Sequence, residues 1–254
     1  MIDNREEYQR MFDVESKLWW YQLLHRRVLK HIRKQFAGIS TVKILDAACG
    51  TGGLLMFLKQ KGYQNLTGFD YSAHAVEFSK ERGLDVSFGD LRKVNDFRPN
   101  ETFDIISCND ALYFLTDHEI KEALTAFGKR LNPGGKVIIN IHAFEAFSGT
   151  HDLAVGSSRR FSLSDFKGYT KETGFKITFT TYWPFALSIP ILLVRQWQRF
   201  QIRRKNIQVS DVDSDVSYPG DIVNNILLGI TAAEEKIFRS APFGSSLFMV
   251  LEAN

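Results

Sequence analysis

A glycine-rich loop follows a short apolar run near the start of the chain, and an acidic residue borders it. The run extends from Val42 to Asp46, and Ala48, Gly50 and Gly52 follow before a helical segment. Glycines let the backbone approach a ligand closely because no Cβ atom intervenes, and the N-terminus of the next helix supplies backbone donors. Asp46 is placed to face a cationic group. The loop therefore predicts a site for a small ligand that carries positive charge.

Polar residues also end the next predicted strands. Asp70 ends the sequence GFD, Asp90 ends FGD, and Asn109 ends the run FDIISCN. A carboxylate can accept hydrogen bonds from two hydroxyl groups or from an amine. Asp70 is suited to accept hydrogen bonds from both hydroxyls of a ribose, and Asp90 from the exocyclic amine of an adenine. Tyr71, Leu91 and Asn109, beside these carboxylates and at the next strand end, are further candidate contacts with a bound ligand.

Groups that can accept a proton follow the fourth and fifth predicted strands. The candidates are Asp110, Tyr113, His142 and His151. An imidazole titrates near neutral pH, so it suits the removal of a proton from a reacting hydroxyl. We favour His151, because it follows the strand beyond which a second substrate should sit. His142 and Tyr113 are the next candidates.

From residue 42 onward, short apolar runs alternate with helical stretches. The predicted strands lie at about 42–46, 66–70, 85–88, 103–108, 135–141, 175–182 and 246–251, and the predicted helices at about 4–36, 53–61, 73–82, 117–131, 163–173 and 221–238. This alternation predicts right-handed crossovers and a doubly wound, mostly parallel sheet, with ligands at the carboxyl ends of its strands. Thr116 and Glu119 have the spacing of a capping box.

Residues 183–245 form an insertion before the last strand and include a helical pattern with two faces. The apolar face contains Ile189, Leu192, Leu193, Trp197 and Phe200, and the basic face contains Arg195, Arg199 and Arg203. One interpretation is a lid whose apolar face packs on the domain while its arginines are solvated. The other is a basic amphipathic helix that lies on an anionic membrane surface. We favour the lid.

The composition indicates a single α/β domain. The chain has 254 residues, 44% hydrophobic and 24% charged, with a net charge of +3. This charge is too small to predict nucleic-acid binding, which usually requires a concentrated basic face. No apolar run reaches the length of about 20 residues that spans a bilayer. Cys49 and Cys108, the only cysteines, are expected to stay reduced in a cytoplasmic protein.

Over residues 42–182 and the last strand, the chain resembles the class I S-adenosylmethionine (SAM)-dependent methyltransferases. The matching segments are LDAACGTG (45–52), GFD (68–70), FGD (88–90), FDIISCNDALYF (103–114) and LNPGGKVIIN (131–140). The resemblance implies SAM as cofactor, no metal site, and a seven-stranded sheet of order 3-2-1-4-5-7-6 with an antiparallel last strand. The chain departs from the family pattern at Ala48, where a glycine is usual. A nicotinamide dinucleotide is disfavoured because Leu55 replaces the third glycine of its fingerprint.

The segment around His151-Asp152 and Arg159-Arg160 resembles a bacterial methyltransferase subgroup associated with polysaccharide or glycan assembly. We expect Trp20, Arg159 and Arg160 to bind the acceptor, since guanidinium groups hold anions such as phosphate well. Surface charge ahead of a helix is the alternative role for both arginines.

The predicted reaction is methyl transfer from SAM to a hydroxyl or amine of a small molecule, sugar or glycan intermediate. Aligning the acceptor with the methyl group supplies most of the catalysis, and a hydroxyl acceptor also needs a base. The predicted organisation is an N-terminal helical cap (1–40), a SAM-binding core (42–182 and 246–254) and the insertion. The alternatives are a quinone or isoprenoid-lipid methyltransferase and a SAM-binding module without catalysis. The oligomeric state stays open.

Overall fold

A computed structural model describes residues 4–36, 41–157, 159–205 and 216–254, apart from the side chains of residues 203 and 205. Its strands are β1 (Ile44–Ala47), β2 (Leu66–Asp70), β3 (Val86–Phe88), β4 (Phe103–Asn109), β5 (Leu131–His142), β6 (Phe175–Trp183) and β7 (Ser246–Ala253). Its α-helices are α1 (Arg5–Val14), α2 (Trp19–Gln35), α3 (Gly53–Gln60), α4 (Ala73–Glu81), α5 (Asp117–Arg130), α6 (Thr150–Ala154), α7 (Leu163–Thr173), α8 (Ser188–Lys205) and α9 (Asp221–Ile237).

The seven strands form one sheet of order β3-β2-β1-β4-β5-β7-β6. β1 to β5 pair in parallel, and β7 runs antiparallel between β5 and β6. The predicted fold class and strand order are therefore confirmed. The parallel strands bring the ends of β1, β2, β4 and β5 to one edge of the sheet, which is where the polar residues of the sequence cluster.

Central strands are apolar on both faces because helices cover both faces. Ile105 and Ile138 pack into one core cluster, and their neighbours Ile106 and Ile139 pack into the other. The capping box at the start of α5 is present as predicted: the Glu119 backbone N–H donates to Thr116 Oγ1, and the Thr116 N–H donates to Glu119 Oε2.

The N-terminal segment differs from the single helix predicted over 4–36. It forms α1 and α2, separated at Glu15 and the three residues after it. Glu15 is buried and accepts hydrogen bonds from Thr51 and Arg82, so its side chain is held against the glycine-rich loop. The chain bends because this tertiary contact outweighs the helical pattern of the local sequence.

The insertion also begins later than predicted. Trp183 belongs to β6 and is fully buried, with its indole N–H donating to Asn140 Oδ1 at 2.8 Å. Most of the predicted apolar face of α8 does not pack on the domain: Ile189, Leu193, Trp197 and Phe200 are exposed, and Leu192 is partly buried. That part of the lid interpretation is wrong. Within the described residues, no helix is long and apolar enough to cross a membrane.

The loop between β1 and α3 contains a strained residue. Ala48 has a φ of 60°, in the left-handed region that costs an L-residue about 1–2 kcal/mol. Gly50 and Gly52 also have positive φ, without that cost, because glycine lacks a Cβ atom.

We predict that Ala48→Gly raises the free energy of unfolding by about 0.5–1 kcal/mol, because relief of the strain exceeds the added entropy of the unfolded chain. Urea denaturation measures the change. Ala233→Gly, at an exposed helical position of α9, is the matched control and should lower stability by about 1 kcal/mol. An Ala48→Gly protein less stable than its parent would show that the loop does not strain Ala48.

Candidate active site

A cavity of about 580 Å³ opens at the carboxyl ends of β1, β2, β4 and β5. Its floor is the glycine-rich loop and the strand ends. The N-terminal helices, α6, α8 and α9 supply its walls, through residues such as Tyr8, Tyr21, His151, Ile191 and Leu227. The N-terminal segment and the insertion therefore both contribute to this cavity.

The N-terminus of α3, beside the glycine-rich loop, is already occupied by a carboxylate of the protein. Glu15 accepts hydrogen bonds from the Thr51 hydroxyl and the Arg82 guanidinium. A Cβ atom built on Gly53 would lie 2.2 Å from Glu15 Oε2, so glycine makes room for this contact. A dinucleotide pyrophosphate usually binds at such a helix N-terminus. Here it would meet the carboxyl group of Glu15, which already occupies this position.

Asp70, at the end of β2, is buried and supports the same loop. Its two carboxylate oxygens accept hydrogen bonds from the Gly50 N–H at 2.8 Å and the Ser72 N–H at 2.9 Å. Each carboxylate oxygen can accept a second bond. Asp70 also lines the cavity, so it can hold the loop and bind a ligand hydroxyl at the same time.

Asp46 is buried in β1 and accepts a hydrogen bond from Ser107 Oγ at 2.6 Å. Burial raises the pKa of Asp46 to about 7; the Ser107 bond opposes the rise, and the charges of Asp70 and Glu15 add to it. A cation bound in the cavity would favour the ionised carboxylate. The acidic end of the cavity is therefore suited to a cationic ligand.

Asp90 lies at the rim of the cavity, where it begins a short 3₁₀ helix that includes the buried Leu91. It accepts hydrogen bonds from the backbone and side chain of Arg92. Partial burial alone would raise its pKa, but Arg92 holds that pKa below its ordinary value. Tyr71 also lines the cavity and packs against Phe88, with ring centroids 5.3 Å apart.

Asn109 and Asp110, at the end of β4, face the cavity with carbonyl and carboxyl oxygens. Among the described residues, Asn109 Oδ1 and Asp110 Oδ1 have no hydrogen-bond partner although both atoms are buried. The other carboxyl oxygen of Asp110 accepts from Asn140 Nδ2 at 2.8 Å. Burial raises the pKa of Asp110 to about 7, against that bond and the charge of Arg160.

His142, at the end of β5, lies beside Asp110, with Nε2 3.7 Å from Asp110 Oδ1. Its ring stacks on Tyr113 at 4.8 Å and meets the edge of His151 at 5.4 Å. Burial and the neighbouring charges of His151, Arg160 and Arg195 lower the pKa of His142 well below its ordinary value. At neutral pH the imidazole is therefore uncharged.

Tyr113 and His151 complete this cluster, so all three predicted catalytic residues line the same cavity. Burial and the charge of Asp110 raise the pKa of the Tyr113 phenol well above its ordinary value. Tyr113 therefore stays protonated and can donate a hydrogen bond, but it is poorly suited to act as a base. His151 lies in the first turn of α6 and is partly exposed.

The two arginines predicted to bind the acceptor have different surroundings. Arg160 lines the cavity, but it makes a bidentate contact with Asp152, at 2.7 and 3.0 Å, and donates to the carbonyls of Ala143 and Ser245. Arg159 is not among the lining residues: it pairs with Asp117. Both guanidinium groups thus have evident structural roles.

Trp20 lines the cavity and stacks on Trp183, with ring centroids 5.2 Å apart. Sequence reasoning missed several wall residues, including Tyr8, Met11 and Tyr21 of the N-terminal helices. Their only signal was an aromatic-rich segment ahead of the core, which equally suits ordinary packing. Among the described residues, no group of three or more His, Cys, Asp or Glu side chains could hold a metal ion.

Comparison with known proteins gives the same picture of the core. The profile of the family described as "Methyltransferase domain" matches residues 44–135. An uncharacterized methyltransferase of Anoxybacillus flavithermus is 30% identical over 151 residues, which cover 54% of this chain and 71% of that protein. A solved S-adenosylmethionine-dependent methyltransferase from Clostridium acetobutylicum shares the fold, with a TM-score of 0.56 at 14% identity over 91% of this chain and 90% of that one.

Some curated relatives are much longer proteins. Phosphoethanolamine N-methyltransferase 1 of Arabidopsis thaliana is 30% identical over 142 residues, which are 52% of this chain and 28% of that protein. This chain thus spans less than a third of the length of that relative. The resemblance to a glycan-assembly subgroup stays a prediction. With its matching domain, its Anoxybacillus relative and its sheet order, the chain belongs to the family of SAM-dependent methyltransferases.

Proposed function

We propose that this protein transfers the methyl group of SAM to a hydroxyl or amine of a small molecule, sugar or glycan intermediate held in the cavity. The observation that carries the proposal is the position of Asp110 and His142. They lie in the same cavity as Asp46 and Asp70, so groups that can accept a proton share one space with an acidic site suited to a cation.

The acidic end is the proposed SAM site. SAM carries a positively charged sulfonium and ammonium, which match the carboxylates of Asp46 and Asp70. The backbone of Ala48, Gly50 and Gly52 would approach the amino-acid part of the cofactor. The remaining predicted contacts are Asp70 with the ribose hydroxyls and Asp90 with the adenine amine. Tyr71, Leu91 and Asn109 are further predicted contacts with the cofactor.

The acceptor would bind between the cluster at the ends of β4 and β5 and the wall formed by the N-terminal helices. Cavities that hold small ligands typically measure about 300–1,000 Å³. The cavity, at about 580 Å³, lies within this range. Trp20 and Tyr21 offer flat apolar surfaces on this side, and the charge of Arg160 is already paired with Asp152.

Methyl transfer to a hydroxyl requires a proton acceptor, and the Asp110–His142 pair is our proposal for it. A carboxyl group with a pKa of about 7 is matched to proton transfer at neutral pH. The neutral imidazole of His142 lies beside this carboxyl group, with Nε2 3.7 Å from Asp110 Oδ1, and is a second group that can accept the proton. His151, favoured by the sequence, contacts His142 and is the second candidate.

The alternative of a SAM-binding module without catalysis is less well supported, because the cavity contains this pair. The direct test measures SAM binding by calorimetry and release of S-adenosylhomocysteine with sugars, phosphorylated amines and quinols as acceptors. SAM binding without product from any acceptor class would favour the non-catalytic alternative. Product from quinols alone would favour the isoprenoid-lipid alternative.

We predict that Asp46→Asn weakens SAM binding at pH 8 by about tenfold or more, the scale of a lost charge-assisted interaction. The loss should shrink at pH 6, where the parent carboxyl is mostly protonated. Calorimetry at both pH values measures this. Asp13→Asn, an equal change of charge at an exposed site on α1, should bind SAM like the parent. Equal affinity of Asp46→Asn and the parent at pH 8 would remove Asp46 from the site.

The same substitution should stabilise the protein without cofactor. The pKa of Asp46 is higher in the folded state than in the unfolded chain, so the folded state binds more protons between about pH 4 and 7 and stability falls as pH rises through that window. Asp46→Asn should therefore raise the free energy of unfolding at pH 8 by about 1–4 kcal/mol, and by less at pH 5. Urea denaturation at the two pH values checks the sign.

We predict that Asp110→Asn and His142→Gln each lower turnover of a hydroxyl acceptor by about 10²–10⁴, and that the double variant is little worse. SAM affinity should barely change. Tyr113→Phe keeps the stacked ring and should cost less than tenfold, since the phenol is no base. A large loss confined to His151→Ala would return the role of base to His151.

A further inference from the structure

The apolar side chains of helix α8 face solvent. Its exposed apolar residues are Ile189, Leu193, Val194, Trp197 and Phe200. Most recur at intervals of three or four residues, so they form one stripe along the helix. Trp197 exposes 61% of its surface. Isolated exposed apolar residues are ordinary, but a continuous stripe of this kind marks an interaction surface.

The polar side of α8 faces the protein instead. Gln196 donates to the carbonyl of Ala146 at 3.1 Å, and Arg199 donates to the carbonyl of Glu145 at 3.4 Å. Arg195 lines the cavity beside His142. The orientation of α8 is therefore fixed by polar contacts, and its stripe is left to solvent.

Helix α9 carries a second apolar stripe. Its exposed apolar residues are Ile222, Val223, Ile226 and Ile230, followed by Ile237 and then Phe238 just beyond its end. Ile191 of α8 and Leu227 of α9 line the same cavity from their inner sides. The two helices thus share one arrangement, with one face toward the cavity and an apolar face toward solvent.

The charges beside these stripes are mostly positive. Every charged residue of α8 is basic, but Arg195 and Arg199 face the protein, and Arg204 is the exposed basic residue among its described side chains. On α9, Glu234 is buried and accepts from the backbone N–H groups of Phe185 and Ala186, and Glu235 pairs with Arg27. Asp221, at the start of α9, is an exposed acid that accepts a hydrogen bond from Tyr218. Lys236 and Arg239 are exposed near the end of α9, so exposed basic groups outnumber exposed acids among the described side chains of α8 and α9 and the two residues after α9.

We propose that the exposed apolar faces of α8 and α9, the α8/α9 surface, seat this protein on an anionic lipid bilayer. An amphipathic helix with basic flanks and Trp, Phe and Leu on its apolar face lies in the plane of the membrane interface. Burial of the stripes supplies hydrophobic free energy, and each basic group near anionic lipid adds further attraction. This binding is independent of methyl transfer.

A second copy of the chain is the competing occupant of the α8/α9 surface. In a symmetric dimer, each stripe would face a stripe bordered by the same basic groups, and like charges placed together are unfavourable. An anionic bilayer neutralises those charges instead. Charge complementarity therefore favours the lipid surface.

Vesicle flotation tests the proposal directly. We expect the protein to float with phosphatidylcholine vesicles that contain roughly 30% phosphatidylglycerol, and much less with phosphatidylcholine alone. Binding is compared at about 0.05 and 0.5 M salt and should fall at the higher value, because salt screens the attraction between basic groups and anionic lipid. No flotation with anionic vesicles at low salt would overturn the proposal.

A matched pair of variants distinguishes vesicle binding through the α8 stripe from nonspecific binding through any exposed apolar residue. Leu193→Gln combined with Trp197→Gln should lower the bound fraction at least tenfold. Phe88→Gln is the control, because Phe88 is 61% exposed like Trp197 but lies on β3. It should float like the parent. Equal loss in both variants, or in neither, would count against the α8/α9 surface.

Tryptophan fluorescence tests the proposal with a variant in which the exposed face of α8 stays apolar. Anionic vesicles should shift the emission of the parent to shorter wavelength, and Trp197→Phe should float normally while losing that shift. A normal shift in Trp197→Phe would show that α8 does not enter the interface. Sedimentation analysis tests whether a second copy of the chain occupies the α8/α9 surface. A dimer that the double variant dissociates, with no vesicle binding by the parent, would assign the surface to a second copy.

Discussion

Burial of several carboxyl groups at one edge of the sheet is the constraint on which the site depends. Glu15, Asp46, Asp70 and Asp110 all face one cavity, and their ionised forms repel one another in a poorly solvated space. The protein relieves this in different ways: Arg82 pairs with Glu15, backbone N–H groups bind Asp70, and raised pKa values leave Asp46 and Asp110 partly protonated. A bound cationic cofactor offsets the remaining repulsion between the carboxylates. Cofactor binding and the stability of the site are therefore linked.

Much of the fold follows from local sequence signals. Apolar runs alternate with helical stretches, and Asp46 and Asp70 lie near the ends of the strands that those runs predict. Parallel pairing then brings these ends together whatever the details of packing, because right-handed crossovers leave few alternatives. The predicted loop and acidic residues therefore line the cavity, whereas their contacts with a ligand remain proposals.

The parts that the sequence did not predict depend on contacts between distant residues. The sequence around Glu15 does not predict that its side chain contacts Thr51 at the start of α3. This contact divides the predicted N-terminal helix in two. The pairing of Asp110 with His142 joins the ends of different strands. Periodicity identified the two faces of α8 but not which one faces the protein, because hydrogen bonds such as that from Gln196 set the orientation.

The position of β7 has a consequence for how the molecule assembles. β6 joins the sheet only through β7, and the residue before β7, Ser245, accepts a hydrogen bond from Arg160 beside the cavity. Roughly 60 residues separate β6 from β7 along the chain, so their pairing closes a long loop. Pairing of such high contact order is slow. We therefore expect β6 to join the sheet only after β7 has been synthesised, and the contact between Arg160 and Ser245 to form late in folding.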